Sequence, residues 1–409
     1  MLYILQFSSY VFSLVTVPYQ TRVLGPVIYG KLGFATAMMV YFQLFIDFGF
    51  LLSATEDVSK NREDRNFLSK VFTSVTCGKL FLSFISAVAL LILCLAVPGW
   101  KEDIGLYFLF LLAAVINSFL PDYLYRGMEQ MTIITVRTVA IKLFFTIMIF
   151  LFLKSPSDYY VVPLLNIIGN FLAVACTLID LARHIGVRFC KVSGRDIWYS
   201  FRRSSTFFYS RIAGTIYTAG NTILLQAIYP GSATIGYYSS ADKVITTAKN
   251  GLSPISDSLY PYMVKNKDFK LIKKILVICM PIILVGCLVV GIWAEPICRI
   301  VFGSEFTDTA GILQRLLPIV AVTLPSYILG FPTMSPVGLA KYANYSVVFS
   351  ASVHVLQIVF LFLSNHFNVY NLCTATSITA IAELAFRIVV IYKNRHLYKE
   401  RVPNEKRSS

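Results

Sequence analysis

The chain has 409 residues, of which 56% are hydrophobic and only 14% charged, with a mean hydropathy of +0.69 and a formal net charge of +15. A chain this apolar has no segment polar enough to fold separately in water, which excludes the two or three soluble domains its length would otherwise suggest. The basic excess sits in short connections between apolar runs, where it sets topology and meets anionic headgroups, so it does not indicate nucleic-acid binding.

A hydrocarbon slab of ~30 Å needs roughly 20 apolar residues per helix. In chain order, the apolar runs predict spans at 3–23, 32–56, 70–97, 104–125, 132–153 and 159–182, then 204–228, 235–260, 273–294, 310–337, 343–364 and 368–392. The fold class is therefore an all-α integral membrane protein of about 12 transmembrane helices. Connections on the even side carry 23 Lys and Arg against 5 on the odd side, which places both termini and the basic loops in the cytoplasm. The first apolar run continues to Pro18 and Tyr19 without a small-residue cleavage site, so no signal peptide is expected. The eight cysteines show no CxxC, and only Cys298 falls on the oxidising side, so no disulfide is expected.

The longest polar connection, Arg183 to Arg203, lies between spans six and seven and divides the chain into an N-terminal lobe (1–190), a linker (191–203), a C-terminal lobe (204–393) and a basic tail (394–409). A faint repeat accompanies this division. Tyr29-Gly30 opens span two and Ile235-Gly236 opens span eight, each followed by a span ending in a basic patch, Lys60-Asn61-Arg62 and Lys265-Asn266-Lys267. Six helices between the copies give them one orientation, hence two six-helix bundles related by a pseudo-two-fold axis along the membrane normal.

Polar side chains recur at three- and four-residue spacing inside several spans, which puts them on one helical face. Span one has Gln6, Ser9, Ser13, Thr16 and Gln20; span two has Thr36, Gln43 and Asp47. Span seven has Arg211, Thr215, Thr218 and Thr222, span eight has Asp242, Thr246, Lys249, Ser253 and Asp257, and span ten has Gln314, Arg315, Thr323 and Ser326. Ser and Thr can bond back to their own helix, but membrane-depth cations are costlier. Arg211, Lys243, Lys249 and Arg315 facing lipid would together cost about 10–14 kcal/mol on insertion scales, so a hydrated cavity is expected around them. Asp242 and Lys249 lie two turns apart, and either neutralise each other or serve the cavity. An excess of Lys and Arg suits an anionic passenger, for which Arg supplies a fork and Lys a point charge. Asp47, Asp242, Asp257 and Glu383 are candidates to carry H⁺ or Na⁺, each with the alternative of balancing a neighbouring cation.

Several chemistries have no motif here. The sequence contains no GxxxxGK[ST] phosphate loop, no HExxH, no close His/Cys cluster, and no HxxxxD among His184, His354, His366 and His396. Odd-side connections are too short for an outer catalytic loop, so the expectation is a non-enzyme without cofactor or metal.

The segment Pro18 to Gly30, PYQTRVLGPVIYG, followed by Phe34, Asp47-Phe48-Gly49-Phe50 and Ser53-Ala54-Thr55, resembles the start of the Wzx-type polysaccharide flippases. These form the oligosaccharide-lipid branch of the multidrug/oligosaccharidyl-lipid/polysaccharide exporter superfamily. Tyr125 to Met131 (YRGMEQM), Lys154 to Tyr159 (KSPSDY), Ser210-Arg211 with Asn221-Thr222, and Gly236-Tyr237-Tyr238-Ser239 before Asp242-Lys243 are similar as well. The resemblance implies a V-shaped, two-lobed fold with a central cavity, in a bacterial inner membrane. It implies transfer of an undecaprenyl-diphosphate-linked oligosaccharide, such as an O-antigen unit, to the periplasmic leaflet, with polysaccharide polymerase and chain-length regulator as partners. It also implies that Arg22, Arg211 and Lys243 are cationic sites for diphosphate or sugar. The alternative within the superfamily is a drug or organic-cation extruder, which would want acidic, aromatic walls.

Overall fold

The computed structural model describes the backbone of residues 2–398, with side chains described except at 2–11, 13–14, 209–211 and 213–218. The described residues form helices and connections, with no strand among them. They divide into two compact units. One runs through residue 239 and adds Phe302–Glu305; the other comprises Ser240–Val301 and the chain from Phe306 on.

In the first unit, α1 (Leu2–Asp47) comprises two helices that meet at a kink at Gly25, inside the 22–31 stretch where the sequence suggested an outer connection between two spans. Only Gly25 leaves helical geometry, at φ 69° and ψ 170°, and this left-handed φ is one that a side chain would strain. Pro26 follows it, where a missing N–H is harmless because the helix is starting afresh. The connection is thus a kink. A second interruption falls inside predicted span two: Phe48 and Gly49 both have positive φ, and α2 (Phe50–Lys60) begins beyond them.

Short polar residues mark the helix starts. Asp64 accepts from the N–H groups of Asn66 and Phe67 at the head of α3 (Arg65–Ala96), supplying acceptors for donors the helix cannot satisfy itself. Then come α4 (Ile104–Ser118), the short α5 (Asp122–Gly127) beyond Pro121, α6 (Met131–Phe152) and α7 (Val161–Asp180). The helix α8 (Gly194–Ile228) starts ten residues before predicted span seven, because Ser193 and Asp196 cap it reciprocally. It packs against α1, α2 and α3 of the first unit. The core of that unit gathers Phe50, Leu68, Phe72, Tyr123, Leu124 and Tyr125, all nearly inaccessible.

One close approach in this unit joins the two marks of the sequence repeat. The helix α9 (Ala233–Asn266) opens so near α1 that a Cβ on Gly30 would lie 2.8 Å from the backbone nitrogen of Gly236, and one on Gly236 would overlap the Pro26 carbonyl. Side chains are excluded there by contact with backbone.

The second unit holds the rest of α9, α10 (Phe269–Ile292), α11 (Ala294–Phe302, whose last residue belongs to the first unit), α12 (Thr309–Leu329), the single turn α13 (Phe331–Met334), α14 (Ala340–Leu363) and α15 (Val369–Lys393). Within it α12 packs on α10 and α15, and α14 on α15. The most apolar stretch of α10 has no fully buried residue: Ile275, Cys279 and Ile283 pack partly buried against the core, and the other side of the helix is left to the bilayer.

Among the described residues nine helices are long and apolar enough to cross a membrane, one being Val15–Lys60, which takes in span two and the end of span one. The protein is a multi-pass membrane protein. Spans seven and eight, on α8 and α9 of 35 and 34 residues, are not in that set: part of span seven lies outside the described side chains, and the polar stripe of α9 dilutes its apolar run.

Candidate functional site

In the second unit, α9 places Asp242, Thr246, Lys249, Ser253 and Asp257 on one face, with Lys243 beside them. Asp242 is partly exposed, accepts a hydrogen bond from Thr246, and lies in the field of Lys249 and Lys243. Neither ammonium closes to ion-pair distance of a carboxylate among the described residues. Lys243 is exposed and Lys249 partly so.

Arg315 on α12 joins this group. Its guanidinium donates to Thr374 Oγ1 at 3.2 Å and sits 5.1 Å above the Tyr370 ring, while Ser377 Oγ donates to its carbonyl at 2.5 Å. Three residues of α15 thus hold Arg315 in place while the residue stays exposed. Cys373, on the same turn of α15, lies within electrostatic reach of both Asp242 and Arg315, so charges of α9 and α12 converge on one stretch of α15. Lys243 and Lys249 lie in the field of Asp242, and Asp308 lies within electrostatic reach of the Tyr370 ring under Arg315, so among these described residues three cations meet two carboxylates. That arrangement can bind a dianion: a fork for paired oxygens, two mobile point charges, and hydroxyls of Thr246 and Thr374 beside them.

The other sequence candidates lie elsewhere. Asp257 is on the same face of α9 but fifteen residues on, about 22 Å along the axis, and does not reach the cluster. Glu383 pairs with Arg387 one turn away on α15. Arg387 is buried and also donates to the Ser326 carbonyl, to Ser326 Oγ at 3.0 Å and to Ser346 Oγ at 2.9 Å, a closed network tying α12, α14 and α15. In the first unit Asp47, the last residue of α1, pairs with Lys79 at 3.3 Å. Arg22 is exposed on α1, its stem 3.4 Å from where a Cβ on Gly303 would stand, and Glu305 Oε2 lies 3.0 Å from a Cβ position on Gly25. The side chain of Arg211 lies outside the described residues, as do those of Gln6, Ser9, Ser13, Thr215 and Thr218.

Sequence reasoning passed over Lys79 and Arg387, two buried cations with full sets of partners, and also Arg137, which pairs with Asp122. The signal was available for Lys79: a lone ammonium nine residues into an apolar span needs a partner. Among the described residues no group of three or more His, Cys, Asp and Glu could hold a metal ion.

Comparison with known proteins adds the following. The model of the family described as "Polysaccharide biosynthesis protein" matches residues 1–267. A protein named "Putative O-antigen transporter" from Escherichia coli (strain K12) is 24% identical over 339 residues, 81% of each chain. One of the same name from Shigella dysenteriae is 23% identical over 362 residues, covering 87% of this chain and 90% of its own. Among solved structures, the lipid II flippase MurJ in an inward closed conformation superposes with a TM-score of 0.76 at 15% identity, over 95% of this chain and 87% of that one. An inward-facing multidrug resistance transporter of the MATE family gives 0.70 at 14% identity, over 97% and 96%. These two likenesses establish the two-lobed helical fold.

Proposed function

The chain belongs to the polysaccharide biosynthesis protein family, and from that membership we propose that it is a flippase that carries a lipid-linked oligosaccharide across a bacterial cytoplasmic membrane. The observation that carries this reading is the cationic group of the second unit, Lys243, Lys249 and Arg315 around Asp242. An undecaprenyl-diphosphate headgroup is the passenger that best fits such a group: two phosphates supply charge, and the first sugars supply hydroxyls for Thr246 and Thr374. An organic cation would meet repulsion from three like charges, which argues against a drug extruder despite the fold likeness. The two relatives named as O-antigen transporters support the saccharide half of the proposal. The reading includes no catalytic step.

Transfer follows from solvation. A phosphate or sugar entering hydrocarbon alone loses its hydrogen bonds with water, several kcal/mol for each unsatisfied group. Cations and hydroxyls at membrane depth replace those bonds while the polyprenyl tail stays in lipid. We place both termini and the basic connections in the cytoplasm, and the polymerase and chain-length regulator as partners on the receiving side. Asp242, held by Thr246 and flanked by two ammonium groups, is the candidate coupling carboxylate of this unit.

The test is complementation of a flippase-null strain, reading surface polysaccharide against membrane-inserted protein. Lys249→Ala with Arg315→Ala is expected to cut surface polysaccharide at least tenfold at unchanged protein level, from loss of two charge-assisted contacts of about 1.5–3 kcal/mol each. Normal polysaccharide at normal protein level would sink the cationic-site reading.

A further inference from the structure

The connection between α7 and α8 carries a surface unrelated to the cationic group. Four residues near the start of α8, Arg195, Trp198, Tyr199 and Arg202, stand at i, i+3, i+4 and i+7, a single stripe along the helix. All four are exposed, Trp198 to 69% and Tyr199 to 57%. Just before them, Phe189 is 62% exposed between the exposed Arg188 and Lys191. Three large aromatic side chains and four cations are thus exposed within residues 188–202. Nearby acids do not answer these cations: Asp196 is held by Lys70 at 2.9 Å, and Glu56 and Asp57 are held by Arg203.

The opposite face of this helix is fixed in the unit, so the outward stripe is fixed as well. Phe201 packs edge-on against Phe48 and Phe50 at 5.3 and 5.4 Å, and Ser204 bonds Ser53 at 2.6 Å. The extended stretch before α8 is pinned to α3, with Arg188 N–H donating to Ser69 Oγ at 3.2 Å, Cys190 N–H to Thr73 Oγ1 at 3.1 Å, and the Phe189 and Phe72 rings 4.8 Å apart. The helix then continues without a break into span seven, so the stripe stands at the level where headgroups meet hydrocarbon. Tryptophan and tyrosine settle at that level because each has an apolar ring and a polar atom.

We propose that Phe189, Trp198 and Tyr199, with Arg188, Lys191, Arg195 and Arg202, form a preset binding surface for the acidic phospholipid headgroups of the leaflet this connection faces. The rings enter the upper hydrocarbon, and the guanidinium and ammonium groups take the phosphates. The surface would hold the first unit at a fixed depth, whatever passenger the protein carries.

The test uses the full chain in lipid nanodiscs, with Trp100→Phe and Trp293→Phe leaving Trp198 as the sole tryptophan. Phosphatidylcholine bilayers receive equal small fractions of brominated phosphatidylglycerol or brominated phosphatidylcholine. The expected result is that the acidic brominated lipid quenches Trp198 beyond its share of the bilayer. Arg195→Gln and Arg202→Gln should each lower that preference about fivefold. Equal quenching by both lipids, or a preference unchanged in the double Gln variant, overturns the proposal. So does a Trp198 that both lipids leave bright and aqueous iodide quenches, which would turn the surface towards a protein. Trp100 packs against Phe34 and Tyr107, so a second measurement keeps every tryptophan. Native mass spectrometry of the otherwise unaltered chain should count fewer retained phosphatidylglycerol molecules after Arg195→Gln with Arg202→Gln, and an unchanged count likewise overturns the proposal.

Discussion

Lys79 shows how a charge is accommodated at membrane depth. Its ammonium is nearly inaccessible, pairs with Asp47 at the end of α1, and donates to the carbonyl of Ser118 at the end of α4. Both acceptors sit where a helix stops. Replacing it with methionine keeps the volume but leaves the Asp47 carboxylate without its counter-ion and a carbonyl without its donor. The expected loss is about 3–5 kcal/mol, seen as a lower melting temperature in detergent. Arg387→Met should cost as much in the second unit, by stranding Glu383 and the Ser326 carbonyl. Asp196 behaves differently, because it lies at the surface. Its bonds with Lys70 and Ser193 hold its carboxyl down at about 2, below the roughly 3.9 of an unfolded chain. A depressed carboxylate stabilises the fold above the unfolded value, and that contribution fades as pH falls from about 4 towards 2. Hydrogen-exchange protection at the start of α8, taken relative to the intrinsic exchange rate at each pH, should therefore fall across that window, and Asp196→Asn should flatten the dependence.

Helices reveal which of these features a sequence can disclose. Apolar runs of roughly twenty residues announce spans because length and composition are local properties. The boundary between spans one and two was legible and falls at the Gly25 kink, whereas the break at Phe48-Gly49 stayed hidden, since a helix that is interrupted and one that continues have much the same composition. The stripe of α9 was legible from its spacing, but the meeting of Arg315 with Thr374 and Tyr370, and of Asp47 with Lys79, was not. Those partners lie between 32 and 59 residues apart, and only tertiary packing joins them. The repeat marks Gly30 and Gly236 were visible as a faint echo; that they touch is a structural result. Gly236→Val should place branched carbons against the Pro26 carbonyl and cost about 1–3 kcal/mol or more, whereas Gly251→Ala, whose Cβ would meet open space, should leave the melting temperature unchanged or slightly raised.

At the scale of the whole molecule, the proposed work is vectorial movement of an anionic headgroup, and its energy source is the property to test. With Asp242 as the coupling group, uptake of a labelled lipid-linked saccharide in proteoliposomes should respond to an imposed proton or sodium gradient. Asp242→Asn should abolish the response while binding persists. Transport indifferent to both gradients would remove the coupling and leave the carrier. A mechanical consequence arises from Lys79. Its one side chain spans the stops of α1 and α4, and beyond those stops α2 and α5 pack on each other, with Gly127 seated against Val58. The two stops are therefore geared together twice over, by the ammonium tie-rod and by the short helices' own contact, so that swinging either short helix drags the other.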